Sequence, residues 1–145
     1  QTLSYTIDVY KRKLEPSNDI VKFAAYVGFF PQLVAGPIER AGTLLPQFDK
    51  VFTFNTNQAI NGFRLIVWGL FKKVVIADSL APIVNEIFAN YSDQTGVDLA
   101  LGAVFFAFQI YGDFSGDSDM AIGRAKLFGF ELMSDFKFPY FSRNV

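Results

Sequence analysis

Long apolar stretches broken by proline and glycine follow one another along this chain. Residues 20–38 are almost wholly apolar and about long enough to span a bilayer as one helix. Pro31 and the Gly36-Pro37 pair interrupt them, because proline removes a backbone donor and clashes with the preceding turn. We therefore predict a helix from a cap at Asp19 to about Phe30, followed by a broken or re-entrant segment.

The longest helical pattern runs from Gln58 to about Leu80, behind capping residues at 55–57. Its polar positions share one narrow face, and the other faces are apolar. Such a helix is typical of a membrane bundle or its interface, and the alternative is a buried helix of a large soluble protein. Pro82 is expected to end or kink it.

A third apolar pattern, residues 99–112, leads into an acidic run at 113–119 and then into apolar residues 120–130. Carboxylates beside so much hydrocarbon are costly unless they face water or partners. We predict a break at the acidic run. There, Ser115, Ser118 and Asp119 would cap the helix that follows.

The aromatic group at 136–141 is predicted to form a belt at a membrane interface, or else an aromatic loop packed on another domain.

Composition also favours lipid. The chain has 51% hydrophobic and 19% charged residues, and its 18 Phe are too many for a small soluble domain to hide. The net charge of -1 gives no basic field, so no nucleic-acid partner is predicted.

The absence of His and Cys excludes most catalytic and metal chemistry from the chain itself. The acidic run starts like an EF-hand loop, but Arg124 stands where a bidentate acid is needed, so no metal site is predicted. Ser118 is not in a nucleophile elbow, since Met120 replaces the required Gly. No catalytic residue is therefore predicted within these residues.

Two basic groups, Lys72-Lys73 and Arg124 with Lys126, have two interpretations. They would bind lipid headgroups or an acidic carrier protein, or they would be topology-setting cations at a cytoplasmic rim. We favour the rim.

Several strings occur together in a specific order and spacing. They are Phe29-Phe30-Pro31-Gln32-Leu33-Val34-Ala35-Gly36-Pro37-Ile38 with Arg40, Gly69-Leu70-Phe71-Lys72-Lys73-Val74-Val75-Ile76-Ala77-Asp78, Gln109-Ile110-Tyr111, Asp113-Phe114-Ser115-Gly116, Ser118-Asp119-Met120-Ala121-Ile122-Gly123, Gly129-Phe130 and Phe138-Pro139-Tyr140. Together they resemble the bacterial membrane-bound O-acyltransferase family, in particular its alginate O-acetylation branch, over nearly the whole chain.

The resemblance implies an all-α, multi-pass bundle in the bacterial inner membrane, with broken or re-entrant segments around a tunnel. Its activity would be transfer of an acyl group, here acetyl, from a thioester donor to a hydroxyl of an exported polysaccharide. The donor would be acetyl-CoA or an acyl carrier protein, with no bound cofactor. The expected partners are the lipid bilayer, the donor or carrier, and a periplasmic acetyltransferase.

In the family, a Trp-Arg-Arg-Trp-His type motif soon follows the Phe-Pro-Tyr segment, and its His is thought to be the general base. It would lie beyond Val145. Residues 1–145 are accordingly expected to be part of a transmembrane domain, truncated at both ends and inactive alone.

The resemblance also supplies the candidate tunnel or motif residues: Gln32, Gly36, Pro37, Arg40, Gln109, Tyr111, Asp113, Ser115, Gly116, Ser118 and Asp119. Among them, Gln32, Arg40, Gln109, Tyr111 and Ser115 are hydrogen-bond donors suited to an oxyanion. Asp113 and Asp119 are expected to orient helix ends and the tunnel wall. Asp117 departs from the usual Tyr of the family, so we expect it to be solvated unless this copy is altered.

Two other functions fit the pattern less well. Broken helices and intramembrane acids also occur in a transporter or channel with an Asp-lined path. The remaining alternative is the core of a large soluble helical protein.

Overall fold

The computed structural model describes residues 2–32, 36, 37 and 39–134, and these contain helices and no strand. The predicted all-α class is therefore confirmed for this part of the chain. The α-helices are α1 (Thr2–Tyr10), α2 (Ile20–Val27), α3 (Ala41–Leu44), α4 (Thr56–Leu70), α5 (Asp78–Ala89) and α6 (Gly96–Leu127). A π-helix, Phe71–Ala77, joins α4 to α5, and 3₁₀ turns occupy Phe30–Gln32 and Leu45–Asp49. The aromatic belt predicted at 136–141 lies outside the described residues.

Helix α2 is short, as its flanking residues dictate. The Asp19 side chain accepts hydrogen bonds from the backbone N–H groups of Val21 (2.9 Å) and Lys22 (3.0 Å), which confirms the predicted cap. The helix ends at Val27, three residues before the predicted end near Phe30, and a 3₁₀ turn at Phe30–Gln32 agrees with the predicted break. Its 8 residues cover about 12 Å, too short to cross a bilayer.

The second helical pattern extends further than predicted. Asn55 caps α4 by accepting from the N–H groups of Asn57 (3.0 Å) and Gln58 (3.3 Å). The helical path then continues through Pro82 to Ala89, so an end near Leu80 was wrong. The π-helix lies directly before α5. Pro82 lies inside α5, in its second turn.

Helix α6 runs without a break through the acidic run, so the predicted interruption at 113–119 was wrong. Thr95 and Asp98 form a capping box at its start. Ser115, Ser118 and Asp119 therefore lie inside the helix and do not cap one. The physical reason is that Lys72 and Lys73 of the π-helix form ion pairs with Asp119 and Asp113. Because these carboxylates have partners, the helix does not have to break to expose them to water.

Helices α4 and α6 pack antiparallel along two glycine crossings. A Cβ on Gly62 would lie 2.7 Å from the carbonyl oxygen of Gly123, and a Cβ on Gly69 would lie 2.5 Å from that of Gly116. From Gly62 to Gly69 the chain advances along α4, whereas the residues that they face on α6 run back from Gly123 to Gly116. The two helices are therefore antiparallel. Without side chains at these positions, the two backbones approach closely, as in small-residue contacts of membrane helices.

A second cluster of buried side chains connects α2 and α3 to the far end of α6. It contains Tyr26, Phe29, Ala41, Leu44, Leu45 and Ala125. The Phe130 ring lies 4.9 Å from that of Phe29 and 5.0 Å from that of Phe48, centroid to centroid. This aromatic contact holds the chain that follows α6 against the α3 region.

The outer faces of the long helices are strongly apolar. Exposed side chains include Phe63, Val67 and Trp68 on α4, and Val104, Phe106 and Phe108 on α6. Among the described residues, α6 is the one helix long and apolar enough to cross a membrane, and only 11% of its most apolar window is buried.

Candidate functional site

A buried lysine on the π-helix is the centre of the polar contacts between that helix and α6. Lys72 is 6% exposed, and its Nζ lies 2.6 Å from Asp119 Oδ2. The same ammonium donates to the Ser115 hydroxyl (2.8 Å) and to the Ser115 backbone carbonyl (3.1 Å). It also lies 5.9 Å from the centroid of the Tyr111 ring, within range of a cation–π contact. One cation thus holds three residues of α6.

The neighbouring lysine makes a second ion pair, with an acid six residues closer to the start of α6. Lys73 Nζ bonds to Asp113 Oδ1, and this pair is more exposed than that of Lys72. Asp117 is half-buried rather than enclosed. Its charge adds to the negative surroundings of Lys73, and its expected solvation stays a prediction.

Glycines let the lysine segment reach the acids of α6. A Cβ on Gly112 would lie 3.1 Å from the Lys72 carbonyl oxygen, and one on Gly116 would lie 3.2 Å from the Lys73 backbone nitrogen. At ordinary helix separation the cations would be further from their partners. The wider π-turn also lets two adjacent lysines both contact one helix.

The predicted tunnel residues therefore divide into two groups. The contacts at the α4–α6 crossing bring together Tyr111, Asp113, Ser115, Gly116 and Asp119 with Lys72 and Lys73. Ser118 is buried on the same helix, and the amide oxygen of Gln109 is buried with no hydrogen bond to a described residue. Lys72, predicted as a rim cation, is instead buried and paired.

The second group belongs to the segment before α3. Pro37 is fully buried, Gly36 is half-buried, and Arg40 is exposed at the start of α3. Gln32 is the last residue of the 3₁₀ turn. Its side chain is not among the described parts of the structure, so the role predicted for it stays a prediction. None of these contributes a described contact to the Lys72 cluster.

Sequence reasoning missed Glu39, which is 1% exposed. Its Oε2 accepts from the backbone N–H of Met133 (3.1 Å), whereas its Oε1 is buried without a hydrogen bond to a described residue. Burial raises the pKa of Tyr26, and the charges of Asp8 and Glu39 raise it further. In the sequence, Glu39 follows a Gly-Pro pair and one apolar residue. A solvated acid in a loop is equally common in such a setting, so the sequence alone does not indicate burial.

Glu39 also lines a cleft of about 810 Å³ between residues 39–58 and the end of α6. The far wall is formed by residues 128–133. The lining mixes aromatic rings with amides, hydroxyls and Lys50.

The chemistry available in the described residues is positioning and charge stabilisation. They contain no group of three or more acids, His or Cys arranged to hold a metal ion. The buried lysine is committed to Asp119 and Ser115, so it is not a free base. The described contacts of Lys72 and Lys73 are thus those of paired charges between the π-helix and α6.

Comparison with curated proteins shows similarity along the entire chain. The probable alginate O-acetylase AlgI of Azotobacter vinelandii is 43% identical over 145 residues, which cover 100% of this chain and 29% of that protein. The probable alginate O-acetylase AlgI of Pseudomonas aeruginosa is 40% identical, with 100% and 28% covered. The peptidoglycan O-acetyltransferase of Helicobacter pylori is 38% identical over 135 residues, with 88% and 25% covered.

The chain spans under a third of the length of these relatives. No family model matches it.

Proposed function

We propose that this chain forms part of the scaffold of an enzyme that transfers an acetyl group to an exported polysaccharide. The relatives confirm the predicted resemblance to the membrane-bound O-acyltransferase family. The observation that carries the proposal is the 43% identity to a probable alginate O-acetylase over every residue of the chain. Relatives named for alginate and for peptidoglycan share one type of acceptor, a polysaccharide hydroxyl. The transporter or channel alternative has no support among these relatives.

The proposed setting is the bacterial inner membrane, crossed several times by the full-length protein. Helix α6 has 32 residues and covers about 48 Å, more than the roughly 30 Å of hydrocarbon. The α4–π–α5 path runs antiparallel to it and exposes apolar rings of its own. Lipid would cover both outer faces, while the lysine–aspartate pairs lie between the helices, where ionisable groups of membrane proteins find partners.

The proposed role of the paired charges is to hold the wall of the substrate tunnel. Asp113 and Asp119 accept from Lys73 and Lys72 and so fix the crossing of α4 with α6. Tyr111 and Gln109 lie on the same helix, where their polar atoms are candidates to contact a donor thioester or a developing oxyanion. The general base is proposed to be a histidine after residue 145.

The proposed donor is an acyl thioester, acetyl-CoA or an acyl carrier protein, since transfer to a hydroxyl needs an activated acyl group. A hydroxyl oxygen of the polysaccharide attacks the thioester carbonyl, a base takes the hydroxyl proton, and the thiol leaves with a proton. A periplasmic acetyltransferase is a proposed partner that would complete the modification outside the membrane.

The proposal is tested by deleting the gene in its host and restoring the full-length protein from a plasmid. We expect the O-acetyl content of the exported polysaccharide to fall to background on deletion and to recover on restoration. An unchanged O-acetyl content after deletion, with the polysaccharide still exported, would contradict the proposed activity.

A further inference from the structure

The segment that leaves α6 follows a course fixed by two side chains from the α3 region. We propose that Glu39 and Gln47 form a backbone clamp, a pair of positioning residues that hold residues 131–133 against α3. Its consequence for catalysis rests on the proposed function.

The first contact of the clamp is a buried carboxylate. Glu39 is 1% exposed, and its Oε2 accepts the backbone N–H of Met133 at 3.1 Å. A carboxylate removed from water is costly, and a hydrogen bond to a charged acceptor is roughly twice as strong as a neutral one. The burial of this acid is thus coupled to the position of one backbone amide distant in sequence.

The second contact is a reciprocal amide pair. The Gln47 side chain donates from Nε2 to the Glu131 carbonyl oxygen (2.9 Å) and accepts from the Glu131 N–H at Oε1 (2.8 Å). Gln47 therefore satisfies both backbone groups of Glu131, as a neighbouring strand would. Two bonds to one residue fix its orientation as well as its place.

The end of α6 is built to direct the chain into this clamp. Gly129 has φ +78°, and Phe130 N–H bonds to the Ala125 carbonyl oxygen (2.9 Å) while Gly129 N–H bonds to that of Lys126 (3.1 Å). This is a Schellman arrangement, which turns the chain sharply at a left-handed glycine. Phe130 then packs on Phe29 and Phe48, beside the clamp.

The functional consequence follows from sequence order. Residues 131–133 come shortly before residue 145, and the reactive histidine is proposed to follow that residue. A clamp on their backbone would limit where that histidine lies relative to the tunnel wall on α6. Misplacement of a catalytic group by about 1 Å can cost roughly 10²-fold in rate. Glu39 and Gln47 would accordingly influence kcat through the position of residues 131–133.

Amide hydrogen exchange in the purified full-length protein tests the clamp directly, read by mass spectrometry on a peptide covering 129–134. The variants are Glu39→Ala, Glu39→Gln and Gln47→Ala, and Glu86→Ala on exposed α5 is the matched control. We expect Glu39→Ala and Gln47→Ala to speed exchange of this peptide by about tenfold or more, because each loses a backbone partner. Glu39→Gln keeps an amide oxygen that can accept from Met133, so protection and kcat should be largely restored.

One result would overturn the clamp itself, and a second would overturn the positioning role of Glu39 in catalysis. Unchanged exchange of the peptide in folded Glu39→Ala and Gln47→Ala would show that neither side chain holds the segment. Loss of transfer in Glu39→Gln with protection intact would assign Glu39 a proton-transfer role instead. Absence of transferase activity in the wild type, with the expected exchange pattern, would support the clamp and refute the proposed function, so the two failures are distinguishable.

Discussion

Gly69 and Gly116 face each other so closely that neither can carry a side chain: a Cβ on Gly69 would lie 2.5 Å from the Gly116 carbonyl oxygen, and one on Gly116 would lie 2.8 Å from that of Gly69. Both obstructing atoms belong to backbone, which cannot turn away as a flexible side chain can. The contact lies beside the Lys72–Asp119 pair on both helices. Close approach of the backbones and pairing of the charges therefore depend on each other.

The first prediction concerns this glycine contact. Gly116→Ala should destabilise the full-length protein by about 1–3 kcal/mol, because the added methyl forces the helices apart. Gly96→Ala is the control, since a Cβ there meets nothing within 4 Å. Thermal unfolding in detergent or lipid measures both. Equal melting temperatures for the two variants would contradict the packing described.

The second prediction concerns the buried ion pair. Lys72→Met should cost about 3 kcal/mol of stability, because it leaves the Asp119 carboxylate, whose side chain is only 19% exposed, without its cation. Replacing both partners, Lys72→Met with Asp119→Leu, should recover much of the loss, as measured by a double-mutant cycle. Lys73→Met is the control and should cost less, since its pair with Asp113 is more exposed. A Lys72→Met no more damaging than Lys73→Met would refute the burial argument.

The third prediction separates structural from chemical roles for the acids of α6. Asp113→Asn in the full-length protein should fold and keep transferase activity within about tenfold of wild type, because its proposed part is to pair with Lys73. Loss of a direct proton-transfer group would cost about 10²–10⁴-fold. Asp117→Asn is the matched control on the same helix. Normal folding with complete loss of turnover in Asp113→Asn would assign this carboxylate to the reaction itself.

The fourth prediction concerns the exit from α6. Gly129→Ala should destabilise by at least about 1–2 kcal/mol, because the left-handed backbone disfavours a Cβ and the added atom would overlap the Phe52 ring. Gly42→Ala is the control, since its nearest neighbour would be the Leu14 side chain at 4.0 Å. Unfolding curves of the two variants compare the effects. No difference between them would contradict the turn at Gly129.

Local signals allowed much of the fold to be predicted from the sequence. The caps at Asp19 and Asn55 depend on a side chain and the turn beside it, so residue type and position suffice. The break after α2 follows from proline and glycine in the same way. Several residues of the motif strings lie at the α4–α6 crossing, a contact that the strings themselves did not predict.

The features that sequence reasoning missed depend on contacts between distant segments. The acidic run was interpreted as a break because its charges need partners, and those partners, Lys72 and Lys73, are on another helix. Burial of Glu39 likewise depends on the amide of Met133. In each case a polar residue has two local interpretations, and only its tertiary partner decides between them.

The central claim, that the α4–α6 helix pair lies in lipid, is tested most directly by cysteine labelling. Because residues 1–145 contain no Cys, single cysteines can be placed in a full-length protein freed of any others. Broken membranes, with both surfaces open, are treated with a polar, membrane-impermeant maleimide. We predict that Gly96→Cys is labelled, whereas Phe108→Cys on the exposed apolar face of α6 reacts only after detergent is added. Equal labelling of both positions without detergent would contradict the claim.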